Sequence, residues 1–174
     1  MVTGGNGFLG KHLVSTLTQE GKKVYSLGLR HSNAAQALVV DLSKEIPDLS
    51  GYKFDEVYHL AGLAHRMPRN QEEKELFDSV NHLGTKRLLQ SLEKTELPQT
   101  GVLFLSSVAV YGLETGEGIC EDHPRKAEDA YGKSKRLAED ALVRWAEEKK
   151  VNYSIVRAPL IAGPNPPGNL GALI

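Results

Sequence analysis

The sequence predicts a doubly wound α/β fold, in which helices cover both faces of a parallel sheet. Short apolar segments rich in β-branched or aromatic residues alternate along the chain with longer segments of helical periodicity. A glycine-rich turn also stands between the first apolar residues and the first helix. Successive strand–helix–strand units make right-handed crossovers, so this alternation indicates a parallel sheet.

The predicted strands are short. Only Met1 and Val2 precede the glycine turn, and five further segments follow at 22–29 (KKVYSLGL), 37–42 (ALVVDL), 55–62 (DEVYHLAG), 101–110 (GVLFLSSVAV) and 152–161 (NYSIVRAPLI). A central strand of two or three residues should be poorly paired on both sides. We therefore expect this chain to be part of a longer protein that continues beyond both ends.

Three helices are predicted between the strands, at about 8–20, 71–94 and 129–149. The first has leucines on one face and ends at Gly21, a residue that favours helix C-termini. In the second, Phe77 and Leu88 belong to an apolar set at helical spacing, and in the third Leu142 and Trp145 do.

Composition narrows the class of protein. The chain has 174 residues, of which 40% are hydrophobic and 25% charged, as expected of a soluble globular domain. A net charge of -1 argues against nucleic acid or an anionic membrane as a partner. The single cysteine, Cys120, allows no disulfide within the chain, and no apolar run is long enough to cross a bilayer, so we expect a cytoplasmic protein. The six histidines show no ligand spacing, and we predict no metal site.

The opening decapeptide MVTGGNGFLG predicts an anion site. Glycines let the backbone approach a pyrophosphate, and the free N–H groups and dipole of the following helix favour its negative charge. Two spacings fit, Gly5-x-Gly7-x-x-Gly10 and Gly4-x-x-Gly7-x-x-Gly10. The alternative is a tight turn whose small residues only permit helix–strand packing.

The end of the second strand bears on the choice of dinucleotide. The acidic residue that binds a ribose 2′-hydroxyl is expected there, but the chain has Gly28, followed by Leu29 and Arg30. Arg30 can pair with a 2′-phosphate, which favours NADP over NAD, or it can be a solvated loop residue. Asp41, with Leu42 beside it, is the better-placed polar group for the adenine end, and its alternative role is a loop cap.

The segment DAYGKSKRLAED predicts acid–base chemistry. Tyr131 and Lys135 are four residues apart and share the helix face that continues into the buried stripe. A phenol ordinarily has a pKa near ~10, and a neighbouring ammonium together with an oxidised nicotinamide should lower the pKa toward neutrality. Ser106 and Ser107 end an apolar strand, where a hydroxyl can hold the reacting oxygen against Tyr131 or simply cap the strand.

Taken together, these residues resemble the extended short-chain dehydrogenase/reductase family, and within it the nucleotide-sugar epimerase/dehydratase group. The resemblance rests on VTGGNGFLG, HLAGLAHR, VNHLGT, FLSSVAVYG, YGKSK and VRAPLIAGP, which occur in that order. It implies a Rossmann-like domain at 1–161, and the start of a substrate-binding region, largely absent, at 162–174. The implied substrate is a nucleotide-sugar, and the implied assembly is a homodimer through the helices at 71–94 and 129–149.

The same resemblance assigns residues to the site. It selects the register of Gly4, Gly7 and Gly10, with Phe8 and Leu9 offering N–H groups to the pyrophosphate. It implies that Leu60, Ala61 and Gly62 line the nucleotide, that Asn81 is a structural or cofactor-side group, and that Pro159 lies beside the nicotinamide. Ser107, Tyr131 and Lys135 match the catalytic residues, and Tyr131 and Lys135 also contact the cofactor.

Departures from the family pattern narrow the activity. Val108 and Ala109 stand where family dehydratases carry an acidic pair, which argues against 4,6-dehydration. The expected activity is NAD(P)-dependent 4-epimerisation, as in UDP-glucose 4-epimerases, or 4-keto-sugar reduction. The alternative is a non-catalytic NAD(P)-binding module or a fragment without turnover.

Overall fold

A computed structural model describes residues 1–31, 35–64 and 67–163 of the chain. Its six strands form one parallel sheet in the order β3-β2-β1-β4-β5-β6. The strands are β1 (Val2–Thr3), β2 (Tyr25–Gly28), β3 (Gln36–Val39), β4 (Glu56–His59), β5 (Gly101–Ser107) and β6 (Tyr153–Ala158). The predicted doubly wound α/β fold is therefore confirmed. The predicted second region, 162–174, lies outside the described residues apart from its first two.

From β1 the chain builds the sheet toward one edge through β2 and β3, and from β4 it builds toward the other edge through β5 and β6. Helices make the connections. They are α1 (Phe8–Gln19), α2 (Gln71–Phe77), a π-helical turn (Asp78–Leu83), α3 (Gly84–Leu92) and α4 (Ala130–Lys149). Helix α1 connects β1 to β2, whereas α2, α3 and α4 lie in the connections from β4 to β6. Because these connections run in opposite directions and each crossover is right-handed, α1 lies on one face of the sheet and α2 to α4 lie on the other. None of the helices in the described part of the chain is long and apolar enough to cross a membrane.

Two apolar clusters match these two faces. The smaller cluster joins α1 to β1 and contains Val2, Val14, Leu17 and Val24. The larger one packs α3 and α4 against the sheet, and its fully buried members include Leu88, Leu142 and Phe104. Burial of both sheet faces explains the nearly continuous apolar run of the central strand β5, GVLFL.

The pairing of β1 corrects one expectation. Val2 and Thr3 are fully buried and pair with β2 on one side and β4 on the other. The N–H of Gly4 donates to Leu27 O at 2.8 Å, and the N–H of Tyr58 donates to Met1 O at 2.8 Å. The two-residue strand is thus not poorly paired, because the flanking residues extend its hydrogen bonding in both directions.

The segment predicted as one helix at 71–94 is helical but not uniform. The Asn70 side chain caps its start by accepting a hydrogen bond from Glu73 N at 2.9 Å. The π-helical turn then separates α2 from α3. Such a turn inserts an extra residue into the helical repeat, so side chains beyond it face a different direction from those of an ideal helix.

The strand predicted at 101–110 ends at Ser107. The Ser107 hydroxyl accepts a hydrogen bond from Ala109 N at 3.2 Å, and Val108–Tyr111 form a 3-10 helix. This turn leaves Ser107 at the carboxyl edge of the sheet, which is where a doubly wound fold binds its ligand.

Candidate functional site

The candidate site lies where the strand order reverses, at the carboxyl ends of β1, β4 and β5. In doubly wound sheets the crossovers diverge at this point and leave a crevice. Three segments meet there: the glycine turn 4–10 after β1, residues 60–64 after β4, and Ser107 at the end of β5.

The glycine turn is packed too closely for larger residues. Gly4 has a φ of +70°, and a Cβ there would lie 2.8 Å from Ala61 N. A Cβ on Gly10 would lie 2.8 Å from Gly5 Cα and closer still to Gly4 O. Gly7, the N-cap of α1, differs because a Cβ there would meet only Gly4 O, at 3.0 Å. Gly4 and Gly10 therefore hold the turn together, while Gly7 lies at the exposed helix N-terminus with Phe8 and Leu9 after it.

A buried chain of hydrogen bonds supports the turn from behind. The N–H of Ala61 donates to Thr3 Oγ1 at 3.1 Å, and Thr3 Oγ1 lies 2.7 Å from His59 Nδ1. On the other side of the ring, His59 Nε2 lies 2.8 Å from Thr85 Oγ1, which donates to Asn81 O at 2.6 Å. Since the Thr85 hydrogen is used in that bond, Nε2 must donate and Nδ1 must accept.

This arrangement requires a neutral histidine. Burial and the nearby charge of Lys135 lower the pKa of His59 to about 3. The ring also stacks on Phe104, with centroids 5.3 Å apart. The sequence predicts His59 as a strand residue with a satisfied ring, and its place in β4 and its two hydrogen bonds confirm this. Thr85 was not predicted.

The predicted polar group Asn81 is fixed by the π-helical turn. Its Oδ1 accepts from Leu63 N at 2.7 Å, and its Nδ2 donates to Leu63 O at 3.0 Å and to Ser134 Oγ at 2.9 Å. Together these bonds tie residues 60–64 to α4. The structural role anticipated for Asn81 is therefore present in its contacts.

Lys135 is buried beside the predicted nucleotide-lining residues. Its Nζ donates to Leu105 O at 2.8 Å and lies 4.6 Å from the centre of the Phe104 ring. A Cβ on Gly62 would lie 3.1 Å from the same Nζ. Burial lowers the pKa of Lys135 to about 8, and the carboxylate of Glu139 opposes that lowering.

Tyr131 is half-buried against the edge of the Phe77 ring, with centroids 6.0 Å apart. Burial raises the pKa of its phenol, a hydrogen bond with Ser107 opposes the rise, and the charge of Asp129 adds to it. The predicted lowering of the Tyr131 pKa is thus not produced by the surrounding side chains, because the effect of burial is larger than that of the hydrogen bond.

One cavity of about 110 Å³ brings several of the predicted residues together. Its lining includes Leu60, Gly62, Ser107, Tyr131, Lys135 and Pro159. Ser106 also lines this cavity, and its hydroxyl donates to Glu139, a buried residue that sequence reasoning did not single out.

The residues predicted for the adenine end lie apart from this cavity. Arg30 is exposed, and its carbonyl accepts a hydrogen bond from Asn6 Nδ2 at 2.9 Å. Asp41 caps its own loop, accepting from Ser43 N at 3.0 Å and from Ser43 Oγ. Leu42 is a member of the larger apolar cluster, so its side chain belongs to the core rather than to an open surface. Among the residues that the structure describes, no group of histidine, cysteine or carboxylate side chains is arranged to hold a metal.

Comparisons with known proteins agree with this geometry. The model of the NAD dependent epimerase/dehydratase family matches residues 1–174. The UDP-glucose 4-epimerase of Vibrio cholerae is 29% identical over 187 residues, which cover 100% of this chain and 55% of that protein. A sterol-4-alpha-carboxylate 3-dehydrogenase of Mus musculus is 30% identical over 99% of this chain and 48% of that protein. The chain spans about half the length of the curated relatives that it matches.

Solved structures share the fold. A Thermus thermophilus UDP-glucose 4-epimerase in complex with NAD superposes with a TM-score of 0.85 at 25% identity, covering 99% of this chain and 59% of that one. The protein MoeE5, in complex with UDP-glucose and NAD, superposes with a TM-score of 0.72 at 26% identity, covering 88% of this chain and 51% of that one.

Proposed function

Because the chain belongs to the NAD dependent epimerase/dehydratase family, we propose that it carries the dinucleotide site and the acid–base residues of a nucleotide-sugar 4-epimerase or 4-keto-sugar reductase. The observation that carries this proposal is the shared cavity, which gathers Ser107, Tyr131 and Lys135 at the carboxyl edge of the sheet. Three residue types that suit carbonyl–alcohol chemistry converge there from β5 and α4.

The glycine turn fits a dinucleotide. Close packing at Gly4 and Gly10 forms a cradle in which added Cβ atoms would collide with backbone. The exposed N-terminus of α1 has no acidic residue in its first turn, so its N–H groups are available to an anion. In the proposal, Gly7, Phe8 and Leu9 bind the pyrophosphate, and Leu60, Ala61, Gly62 and Pro159 line the path toward the nicotinamide.

In the proposed chemistry Tyr131 transfers the proton, and Ser107 and Lys135 assist it. A bound nicotinamide would accept and return a hydride. Tyr131 Oη removes the proton of the sugar C4 hydroxyl and returns a proton when the ketone is reduced. The Ser107 hydroxyl holds the same oxygen. With a pKa of about 8, Lys135 is mostly protonated at neutral pH, and its ammonium stabilises the tyrosine anion during the transfer.

The dinucleotide is proposed to be NAD. NADP, which Gly28 and Arg30 favour in the sequence, has no support from MoeE5 or the Thermus thermophilus epimerase, both of which are complexes with NAD. NADP therefore serves as the second ligand in the binding test, against which the affinity for NAD is compared. Arg30 is solvent-exposed at the far end of the crevice and is free to face either ribose form.

A second candidate function is dinucleotide binding without turnover. It is favoured by one observation: burial raises the pKa of the Tyr131 phenol, which disfavours removal of a substrate proton by this residue. Dinucleotide affinity with no conversion of any nucleotide-sugar would identify this function.

The predicted homodimer also stays a proposal. Helices α3 and α4 lie side by side, and a shallow groove between them of about 160 Å³ includes Leu89, Arg144 and Trp145. We propose that this outer face meets a second copy of the chain. Sedimentation that shows a monomer at high concentration would contradict the proposal.

The test of the enzymatic proposal compares two tyrosine variants. Wild type, Tyr131→Phe and the exposed control Tyr153→Phe are titrated with NAD and NADP by calorimetry, then assayed on a panel of UDP-sugars. We expect all three to bind NAD with similar affinity and only Tyr131→Phe to lose turnover, by at least ~100-fold. A wild type that binds neither dinucleotide, or a Tyr131→Phe variant as active as wild type, would overturn the proposal.

A further inference from the structure

A buried carboxylate lies outside the residues used above. Glu139 on α4 is fully buried and lies one helical turn beyond Lys135, which itself lies one turn beyond Tyr131. Its carboxylate accepts the hydroxyl of Ser106, the neighbour of Ser107 on β5. One helix face therefore carries phenol, ammonium and carboxylate in sequence, and the last of these contacts the strand that presents Ser107.

Two arginines complete the environment of Glu139. Arg157 on β6 donates from Nε at 3.1 Å and from Nη2 at 3.0 Å, and Arg125 donates from Nη1 at 2.9 Å. Arg125 also pairs with Asp140 at 2.8 Å. Two guanidinium groups and two carboxylates thus balance in charge, which makes a buried carboxylate tolerable.

The same arginines hold the polar segment 113–126. Arg157 Nη1 donates to Glu121 O at 2.6 Å and to Tyr111 Oη at 2.9 Å, and the guanidinium lies 5.2 Å from the Tyr111 ring centre. Tyr111 Oη in turn donates to Cys120 O at 3.3 Å. Together with Arg125, these contacts tie the segment to α4 and β6 at two places.

We propose that Glu139 is a positioning residue of the candidate site: it holds segment 113–126 through Arg125 and Arg157, and it supplies an anion one helical turn from the Lys135 ammonium on the same helix face. This proposal rests on the proposed function only where it gives Glu139 a part in catalysis. The hold on segment 113–126 and the influence of the Glu139 charge on Lys135 both exist without substrate. The carboxylate is the acceptor that Ser106, Arg125 and Arg157 share, so the proposal requires both its charge and its two oxygens.

Among the residues that the structure describes, the titratable groups nearest Lys135 come from two elements. Tyr131 and Glu139 flank it on α4, and His59 faces it from β4 as a neutral ring. From β5 the Leu105 carbonyl accepts its hydrogen bond, the Phe104 ring lies beside it, and Ser106 and Ser107 line the same cavity. Glu139 is therefore the anion that opposes the lowering of the Lys135 pKa by burial.

The test uses Glu139→Gln, which keeps the shape of the side chain but removes its charge and one acceptor oxygen. The Lys135 titration is followed by NMR on ¹³C-lysine-labelled protein, with the signal assigned by Lys135→Arg. Amide hydrogen exchange is measured over 113–126. We expect the Lys135 midpoint, about 8 in wild type, to move to lower pH, and exchange in 113–126 to accelerate at least ~10-fold.

The matched control is Asp140→Asn, which alters a partly exposed carboxylate on the same helix that pairs with the same Arg125. It should leave the Lys135 midpoint unchanged. Arg157→Lys separates the two effects: it keeps a positive charge but loses the contacts to Glu121 and Tyr111, so exchange should accelerate while the Lys135 midpoint stays. If Glu139→Gln does not fold, Arg157→Lys still tests how segment 113–126 is held.

A Lys135 midpoint in Glu139→Gln equal to that of wild type would overturn the proposal. Unchanged exchange of 113–126 in both Glu139→Gln and Arg157→Lys would do the same. Neither readout needs a dinucleotide or a sugar. A chain that binds no dinucleotide would therefore overturn the proposed function while leaving this test able to decide.

Discussion

Gly10→Ala offers a sharp test of the glycine turn. The added Cβ would lie 2.8 Å from Gly5 Cα and 2.9 Å from Gly4 C, and closer still to Gly4 O. Every one of these atoms is backbone and cannot rotate away, so the turn itself must move by roughly 0.5 Å or more to restore ordinary contact. We expect a loss of about 3 kcal/mol in the free energy of unfolding, at the upper end of the range for overpacking.

Gly21→Ala is the matched control. Gly21 follows α1 and has a φ of +76°, but no atom would lie within 4 Å of a Cβ added there. The same substitution at this position introduces backbone strain alone, which costs about 1 kcal/mol. Gly10 lies within α1 and has no positive φ, so this strain is absent there and the larger loss expected in Gly10→Ala is steric.

Urea denaturation followed by circular dichroism measures the free energy of unfolding, and calorimetry measures NAD affinity. Because the displaced turn includes the proposed pyrophosphate site, Gly10→Ala should raise the Kd for NAD by at least ~10-fold, equivalent to about 1.4 kcal/mol. Gly21→Ala should leave the Kd unchanged. If both variants unfold at the same urea concentration and bind NAD equally well, the packing argument for the turn is wrong.

Three further predictions concern buried or capping groups. His59→Leu removes the acceptor for Thr3 and the donor for Thr85, and should lower the free energy of unfolding by about 3 kcal/mol; ¹⁵N NMR of the wild type should show the Nε2–H tautomer from pH 5 to 8. Lys135 has a pKa of about 8 when folded and 10.5 as its ordinary value, so the unfolded chain binds more protons between these pH values. The free energy of unfolding of wild type, measured relative to that of Lys135→Met, should therefore rise across that window by on the order of 3 kcal/mol. Denaturation at pH 7.5 and at pH 10 measures this rise, and an equal wild-type-to-variant difference at the two pH values would show that the lysine is not desolvated. Asp129 accepts from two amides at the start of α4, so Asp129→Ala should cost about 1 kcal/mol by thermal unfolding, and an unchanged melting temperature would contradict the cap.

Much of the fold was predictable because it depends on local patterns. Apolar runs of strand length, helical periodicity and the glycine turn each reflect neighbours along the chain, and the structure has strands and helices in all the predicted regions. Ser107 lies at a strand end and Tyr131 and Lys135 share a helix face, so these predictions needed no tertiary information. Strand ends were less accurate, since the turn at Ser107 depends on a single side-chain hydrogen bond.

The missed features all depend on contacts between distant parts of the chain. Glu139 reads in the sequence as one of several charged residues on an amphipathic helix, yet it is fully buried among arginines from two other segments. The packing of the Leu42 side chain into the core is also such a contact, and its place at the cofactor stays a prediction. Burial raises the pKa of Tyr131, and the lowering expected from Lys135 together with an oxidised nicotinamide stays a prediction.

The sequence by itself therefore determined the order of strands and helices, the glycine turn and the common helix face of Tyr131 and Lys135, because each is encoded by spacing along a short segment. Only the tertiary structure decided which of these residues share a cavity, that His59 is neutral, and that Glu139 is buried and paired. The physical reason is that desolvation and ion pairing depend on which groups surround an atom in space. For His59 and Glu139 those groups come from residues as distant in sequence as Thr3 and Arg157.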